Sequence, residues 1–368
     1  MTLEPKEIKS TAEGNSLAVG INSEVASCIG VKPEEIEWSH SFLEVIADKT
    51  RYGHGFTLKT EKYPQGFVKI AKNKICRAGL RREMTGLHIA KKLGVKTVSL
   101  LLSTYLETTS GYGVIFLRRL NHDEGITIPN NEALATAPRE LGAIAAKFIL
   151  RSTGQVVPIN LSADEKAALN RNDERNSSPE SFWRIWSQQN AEVLKPEFDE
   201  IRDRLVSKAT LLRIINKAEF DIRPFVDAPV QTGRDFLIHN DMTPNNIGFP
   251  HLDKPKEETT LFDFEYAGAT DNRFLALCTD LGNYYGRLWP NPAMQEDFIL
   301  TLLDDSALCP PSERLKMAQA FVVFGTFYMA QFAMSPAHYN HQMSIELLKR
   351  LQGNLNKLKD RSVACKLA

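Results

Sequence analysis

One island of β-type sequence, at residues 236–268, constrains the fold most strongly, because the chain around it is helical in character. Residues 1–120 instead contain short alternating runs punctuated by glycine and proline, which are typical of antiparallel strands. These runs lie at 42–47, 56–60, 66–71, 98–104 and 112–120. A helical segment at 80–93 interrupts them and ends at Gly94, which suits a helix C-terminus. This order predicts two lobes with a cleft between them.

The length of 368 residues fits two domains or one bilobal unit. We predict an N-terminal extension at 1–37, a nucleotide-binding lobe at 38–120 and a larger lobe at 121–368 that is mainly helical. The polar stretch at 162–180 is expected to be an exposed connection or insertion. Apolar residues recur at helical spacing in five segments of the larger lobe. These segments lie at 131–151, 179–207, 292–304, 312–333 and 341–359.

Composition excludes several classes of protein. The chain is 43% hydrophobic and 24% charged, as soluble globular proteins are, and its 45 basic and 45 acidic residues cancel. No global positive field exists, so we expect no nucleic-acid partner. The 5 cysteines form no C-x-x-C pair, which argues against a zinc site or a disulfide framework. With no apolar leader pattern and no unbroken apolar span, we expect a cytoplasmic protein that does not cross a membrane.

Side chains that could carry chemistry concentrate in the β island. His239, Asp241 and Asn246 form the pattern H-x-D-x-x-x-x-N directly after an apolar run, and Asp263 and Glu265 form D-x-E after a second one. Transfer of a phosphoryl group needs a carboxylate near the attacking hydroxyl and hard oxygen ligands for Mg²⁺. Asp241 suits the first role, and Asn246 and Asp263 suit the second. Two strands joined by a short connection would bring these three side chains together.

These motifs resemble those of kinases of the aminoglycoside phosphotransferase and choline kinase type. The sequences at 239–241 and 263–266 are most similar to the choline/ethanolamine kinase branch, and residues 280–283 resemble the D-I-G-N of that branch. The resemblance implies an α+β, bilobal, protein-kinase-like fold. In such a fold a small antiparallel sheet lobe with one long helix precedes a larger, mainly helical lobe that carries the catalytic β-hairpin.

The resemblance also implies roles for the motif residues. Asp241 would be the catalytic base, with His239 and Asn246 as further members of the catalytic motif. Asn246 and Asp263 would hold Mg²⁺. Glu265 is a candidate metal ligand as well, with two alternatives open: it could orient the catalytic loop, or it could be a charge at the end of a strand. ATP would be the co-substrate, and transfer to the acceptor hydroxyl would be direct, without a phosphoenzyme.

Lys69, in the predicted strand at 66–71, resembles the lysine that contacts the nucleotide phosphates in kinase small lobes. Glu83 lies on the helical segment that follows, with Leu87 and Ala90 on the same face, so it can point inward and hold the lysine by an ion pair. Two alternatives remain open. Lys69 could be a solvated strand charge, and Glu61 could replace Glu83 as its partner.

The remaining nucleotide contacts carry weaker signals. Gly53 and Gly55 lie where a phosphate-covering loop belongs, although a hairpin turn explains this short G-x-G equally well. The connector that contains Phe116 and Arg118 is expected to reach the adenine edge through its backbone groups. Side-chain identity is not informative for such contacts.

The expected function is ATP-dependent transfer of the γ-phosphate to a hydroxyl of a small molecule, either an amino alcohol such as choline or ethanolamine, an aminoglycoside or a sugar-like acceptor. One alternative is a catalytically silent scaffold protein with a kinase-like fold. A protein kinase is disfavoured, because Thr243 stands where a lysine is usual and Glu265 replaces the glycine of D-F-G. Several aromatic residues could line an acceptor pocket or fill a helical core: Trp183, Trp186, Tyr284, Tyr285 and Trp289.

Overall fold

The computed structural model describes residues 12–38, 51–58, 66–71, 73–118, 126–127, 134–152, 159–169, 235–250, 259–270, 273–304, 311–334, 350–351 and 353–360. The predicted strand at 42–47 and the predicted helix at 179–207, with Trp183 and Trp186, lie outside the described residues.

The first part of the chain forms a five-stranded antiparallel sheet, with the strand order β1-β2-β3-β5-β4. Its strands are β1 Ile36–Trp38, β2 Arg51–Leu58, β3 Gly66–Ala71, β4 Leu106–Glu107 and β5 Gly113–Arg118. The strand predicted at 98–104 is not regular: only Leu100 forms a bridge, to Leu117, and the edge strand is β4. The segment 96–98 also forms backbone hydrogen bonds with Leu261, so it links the sheet to the β island.

Helix α1, Ala12–Ile29, covers one face of this sheet. Its buried side chains share an apolar cluster with the outward-facing residues of β3 and β5, which alternate along each strand. The cluster comprises Val25, Ala26, Ile29, Ile36, Val68, Ile70, Tyr112, Val114 and Phe116. Glu24 fastens the helix to the turn between β4 and β5 by accepting hydrogen bonds from Thr109 and Ser110. The segment predicted as an extension therefore supplies a helix and, from Ile36, an edge strand.

Helix α2, Lys74–Lys92, packs on the opposite face of the sheet. It begins at Lys74, not at residue 80 as predicted, because the Asn73 side chain caps it by accepting a hydrogen bond from Cys76 N at 2.8 Å. The predicted stop is observed: Gly94 has φ +75°, which glycine adopts without strain.

Most of the described residues beyond this sheet are helical. The helices are α3 Glu140–Ser152, α4 Ala163–Leu169, α5 Arg273–Arg287, α6 Pro292–Asp304 and α7 Pro311–Met334, and residues 350–351 and 353–360 are also helical. Helix α4 begins inside the stretch predicted as an exposed connection, because Ser162 and Glu165 cap each other's backbone N–H groups and Leu169 is buried. Of the described helices, none has the length and apolar character needed to cross a membrane.

The β island forms two small antiparallel sheets, where a single hairpin was expected. Strand β7, Phe236–Ile238, pairs with β10, Gly268–Thr270, whereas β8, Ile247–Pro250, lies between β6, Ile126–Thr127, and β9, Thr260–Leu261. The register of β8 and β9 places Ile247 opposite Leu261. The polar segments that precede β8 and follow β9 are therefore neighbours.

Candidate functional site

Lys69 lies where three structural elements meet. Its neighbours Val68 and Ile70 point into the cluster under α1, so Lys69 points to the opposite face of the sheet, towards α2. Its Nζ donates to both carboxylate oxygens of Glu83, at 2.7 and 2.8 Å, and to Asp263 Oδ1 at 2.5 Å. The Glu83 side chain is fully buried. The structure thus joins the predicted lysine and glutamate, and adds Asp263 to the pair.

The charge of Lys69 is maintained by its partners. Burial is the largest single influence and lowers the pKa of Lys69, but the charges of Glu83 and Asp263 and their hydrogen bonds together outweigh it and raise that pKa. The lysine is therefore an ammonium ion at neutral pH. Two carboxylates face one ammonium, so the charges of these three side chains sum to minus one.

Carboxylate oxygens of Glu83, Asp263 and Glu265 lie within 4.8 Å of one another. Hard oxygen donors at this spacing suit a divalent cation such as Mg²⁺. Both oxygens of Glu83 already accept from Lys69, so Asp263 and Glu265 are the better ligands of the three. Asn246 is adjacent, because its backbone carbonyl accepts a hydrogen bond from Phe262 N at 3.1 Å. The residues present therefore fit the predicted metal site.

Asp263 adopts a left-handed backbone conformation, with φ +64°. Few residue types other than glycine, asparagine and aspartate adopt this region. A short 3-10 helix, Phe264–Tyr266, follows and packs beneath α2, where Arg82 Nε donates to the carbonyl of Glu265 at 3.0 Å. A Cβ at Gly86 would lie 2.9 Å from the Phe264 ring, so the backbone of α2 rests directly on this turn. The helix that carries Glu83 thus also holds the turn that carries Asp263.

The loop after β7 is fixed by a buried carboxylate. Backbone N–H groups of His239 and Asn240 donate to the two carboxylate oxygens of Asp280, on α5, each at 2.9 Å. Asn240 is left-handed, with φ +68°, and turns the chain towards Asp241. Asp280, in the segment that resembles D-I-G-N, thus orders this loop through its backbone.

His239 is a buried, neutral imidazole that positions this loop. Its Nε2 lies 2.8 Å from the Phe262 carbonyl, which can only accept, so Nε2 carries the proton. Its Nδ1 then accepts from Asp241 N at 3.3 Å. Burial is the main cause that lowers the pKa of His239. The imidazole links the backbone at Phe262 to the backbone at Asp241. Because both ring nitrogens are used in these hydrogen bonds, it is not placed to exchange protons.

Asp241 and Asn246 contact each other across the loop. Asn246 Nδ2 donates to Asp241 Oδ2 at 3.0 Å and to the Asp241 carbonyl at 2.8 Å. A short 3-10 helix, Pro244–Asn246, sets the position of the amide. With its nitrogen turned to Asp241, the amide directs its oxygen away from Asp241. The arrangement orients the Asp241 carboxylate and leaves the Asn246 side-chain oxygen for another partner.

The other predicted nucleotide contacts lie in strands. Gly53 and Gly55 belong to β2, where they pair with Lys69 and Phe67, so they are strand residues and not loop residues. The connection between β1 and β2 lies outside the described part of the chain.

The backbone groups of the connector, predicted to reach the adenine edge, already form hydrogen bonds within the protein at Phe116 and Arg118. The Phe116 carbonyl accepts from Leu101 N at 2.9 Å, and Arg118 N donates to Ser99 O at 2.7 Å. The Phe116 side chain points towards α1, whereas Ile115 and Leu117 share the face of Lys69. The alternation of β5 would have identified these two residues. Tyr284 and Tyr285 are fully buried, and Tyr284 stacks on Phe298, as residues of a helical core do.

No protein-family model and no curated protein sequence matches this chain. Solved structures are similar to it. A point variant of aminoglycoside 2'-phosphotransferase-IIIa in its GDP complex is 11% identical, with a TM-score of 0.51 over 94% of this chain and 99% of that chain. A choline/ethanolamine kinase family protein from Mesorhizobium loti is 13% identical, with a TM-score of 0.47 over 95% of this chain and 99% of that one. Choline kinase from Cryptosporidium parvum is 11% identical, with a TM-score of 0.48 over 95% and 97%.

The aminoglycoside 2'-phosphotransferase-IIIa structure shares the fold of this chain, which confirms the protein-kinase-like fold that the motifs implied.

Proposed function

We propose that this protein is an ATP-dependent phosphotransferase that moves the γ-phosphate of ATP to a hydroxyl of a small molecule. The observation that carries the proposal is the contact of Lys69 with both Glu83 and Asp263 at 2.5 to 2.8 Å. It brings together a phosphate-binding cation and a metal-binding carboxylate. The shared fold supports the proposal without establishing an activity.

Each group has a defined task in this reaction. Asp241 accepts the proton of the acceptor hydroxyl. At the same time the hydroxyl oxygen of the acceptor bonds to the γ-phosphorus, and the bond between that phosphorus and the β,γ-bridging oxygen breaks, which releases ADP. Lys69 binds the nucleotide phosphates. Asp263, Asn246 and Glu265 would hold Mg²⁺, which when bound neutralises charge on the phosphates. His239 positions the loop that carries Asp241.

Nucleotide contacts beyond these are also part of the proposal. Gly53, opposite Lys69, and Gly55, opposite Phe67, would let the backbone of β2 approach the phosphates closely, because they lack a Cβ. The connector that begins at Phe116 and Arg118 would supply the backbone groups that meet the adenine. Since the described groups of these two residues already have partners, further groups of the connector would make that contact.

The acceptor is a hydroxyl-bearing small molecule, and the motif resemblance favours an amino alcohol over an aminoglycoside or a sugar-like compound. A silent scaffold protein would typically lack the lysine, the base or the metal-binding aspartate. Lys69, Asp241 and Asp263 are all present and oriented in this chain.

The proposal is tested in two steps. Thermal unfolding is measured with Mg²⁺ and ATP, with Mg²⁺ and GTP, and without nucleotide, for wild type and Asp263→Asn. At about 100 times its dissociation constant, a nucleotide should stabilise wild type by about 2.7 kcal/mol. We expect this shift to require Mg²⁺ and to be lost in Asp263→Asn.

Phosphate transfer to ethanolamine, choline, kanamycin and glucose is then measured, with Asp241→Asn as the control. We expect transfer by wild type, none by Asp241→Asn, and an unchanged nucleotide shift in that variant. The absence of any nucleotide shift in wild type would contradict the proposal and favour the scaffold alternative.

A further inference from the structure

Lys69 uses all of its hydrogen-bond donors on carboxylates. A protonated lysine has three N–H donors and no acceptor. Three carboxylate oxygens of the described residues lie within hydrogen-bond distance of Lys69 Nζ: Oε1 and Oε2 of Glu83, at 2.7 and 2.8 Å, and Oδ1 of Asp263, at 2.5 Å. A phosphate oxygen of a nucleotide can therefore bind this ammonium ion only if one of these hydrogen bonds breaks.

The two carboxylates differ in how easily they can release Lys69. The Glu83 side chain is fully buried, whereas the side chains of Asp263 and Lys69 are 23% and 14% exposed. Separating a fully buried carboxylate from its cation is strongly destabilising, because the charge left behind has no solvent around it. A partly exposed carboxylate can instead turn to water or to another cation. The hydrogen bond to Asp263 is therefore the one that a phosphate displaces.

Only the side chain of Asp263 has to move in this exchange. Its backbone lies in the left-handed region, with φ +64°, and the turn that follows is held by α2, where Gly86 packs on Phe264 and Arg82 binds the carbonyl of Glu265. Carboxylate oxygens of Asp263 and Glu265 already lie within 4.8 Å of each other. The contact that has to change before these two residues can share a cation is therefore the one between Asp263 and the ammonium ion.

We propose that Lys69 is an internal counter-ion that keeps divalent cations off Asp263 until the phosphates of a nucleotide displace it. This inference rests on the proposed function. The ammonium ion and a divalent cation compete for Oδ1 of Asp263, because two cations bound to one oxygen would repel each other. When phosphates bind Lys69, Asp263 is released to the cation. Cation and nucleotide therefore bind together, and each raises the affinity of the other by the same factor.

The experiment measures the affinity of the nucleotide-free protein for Mn²⁺ by electron paramagnetic resonance, because Mn²⁺ prefers the same oxygen ligands as Mg²⁺. It compares wild type with the double variant Lys69→Met/Glu83→Gln. In wild type the charges of Lys69, Glu83 and Asp263 sum to minus one, and in the double variant Asp263 alone gives the same sum. A gain in Mn²⁺ affinity would therefore come from the release of Asp263 and not from a change of net charge.

The double variant should bind Mn²⁺ at least about tenfold more tightly than wild type, because the cation no longer has to displace a charged hydrogen-bond donor. Glu83→Gln alone leaves Lys69 on Asp263 and should bind Mn²⁺ no more tightly than wild type. Adding Asp263→Asn to the double variant should remove the gain. Equal Mn²⁺ affinity of wild type and the double variant, or a gain that survives Asp263→Asn, would overturn the inference.

A second measurement uses the wild-type protein and does not depend on whether the double variant folds. In protein that contains ¹⁵N-labelled lysine, the NMR signal of the Lys69 ammonium group, assigned by its loss in Lys69→Arg, broadens when a paramagnetic ion binds beside it. Mn²⁺ alone should leave this signal sharp, whereas Mn²⁺ with ADP should broaden it. Broadening by Mn²⁺ alone at the same concentration, or a signal that stays sharp with ADP as well, overturns the inference.

These results are distinguishable from a failure of the proposed function. If wild type transfers phosphate but the double variant gains no Mn²⁺ affinity, the inference fails and the proposed function stands. If the double variant gains affinity and Mn²⁺ broadens the Lys69 signal only with ADP, the inference holds. It then holds even if wild type transfers phosphate to none of the acceptors, an outcome that contradicts the proposed function alone.

Discussion

At the scale of single residues, Lys69 shows how two acids maintain a buried charge. Because its pKa is raised above the ordinary lysine value, its contribution to stability is complete at neutral pH. That contribution is lost only as the pH rises through the raised pKa, in strongly alkaline solution. Between pH 6 and pH 9, roughly the range of ordinary buffers, Lys69 therefore stays protonated and its titration does not change the stability of the protein.

Replacing Lys69 by an uncharged residue should strongly destabilise the protein. Lys69→Met leaves the buried Glu83 carboxylate without its partner, which typically costs about 3–5 kcal/mol of unfolding free energy. Urea denaturation at pH 7.5 measures the loss, and Mg·ATP should no longer stabilise the variant. The double variant Lys69→Met/Glu83→Gln is the control and should recover part of the stability. Equal stability of wild type and Lys69→Met would contradict the burial argument.

His239 should make stability depend on pH. Its folded pKa is lowered, so the protein is most stable above the unfolded value of about 6.5 and loses stability as the pH falls towards the folded value. The loss approaches about 1.4 kcal/mol per pH unit within this window. Unfolding free energies at pH 7.5, 6.5 and 5.5 should fall more steeply for wild type than for His239→Gln. Parallel slopes would show that the imidazole takes up a proton in the folded state.

At the scale of elements, α2 and the turn beneath it form one unit. The helix carries Glu83, the turn begins at Asp263, and Gly86 lets the two backbones approach. The relative position of these two elements therefore sets the geometry of the proposed nucleotide site.

Gly86→Val should disturb that geometry, because a Cβ there would meet the Phe264 ring at 2.9 Å and the Ala267 Cβ at 3.0 Å. Overpacking of this kind costs about 1–3 kcal/mol, and we expect the stabilisation by Mg·ATP to weaken as Glu83 shifts from Lys69. Gly79→Ala on the same helix is the control, since its Cβ would find only ordinary contacts at 3.9 Å. Gly79→Ala should be neutral or stabilising by chemical denaturation. A Gly86→Val variant as stable as Gly79→Ala would contradict the close packing.

The sequence predicts an element well where the residues that determine it lie close together along the chain. The motif residues near Asp241 and Asp263 were predictable, because their residue types and their spacing along the chain are themselves what phosphoryl transfer requires. The start of α2 depended on a single capping side chain, Asn73, outside the apolar pattern. The Asp280 anchor depended on two strands and a helix meeting in space, which spacing alone does not give.

At the scale of the whole molecule, α1 covers a face of the sheet that would otherwise expose an apolar surface. From the sequence these residues were predicted only as an N-terminal extension, since the partners of the helix, Val114 and Phe116, are distant in the chain. Its docking links the first residues described to the strand that leads into the second lobe.

A charge on the buried face of α1 should therefore destabilise the sheet lobe. Ala26, which is fully buried, is the test position, and the exposed Ser23 on the same helix is the matched control. Ala26→Asp should lower the unfolding free energy by several kcal/mol, because a buried charge without a partner is costly. Ser23→Asp should change it by about 0.5 kcal/mol or less. If both variants have the same denaturation midpoint, α1 does not pack on the sheet in solution.

The covering of this sheet by α1 also orders events during synthesis. The apolar side of the helix leaves the ribosome before Val114 and Phe116 exist, and at about 5–20 residues per second the interval lasts about 5–20 s. Throughout that time Val25, Ala26 and Ile29 lack their partners on β5, although Ile36, Val68 and Ile70 emerge earlier. The apolar side of α1 therefore stays partly uncovered, and open to chaperone capture and aggregation, until β5 emerges.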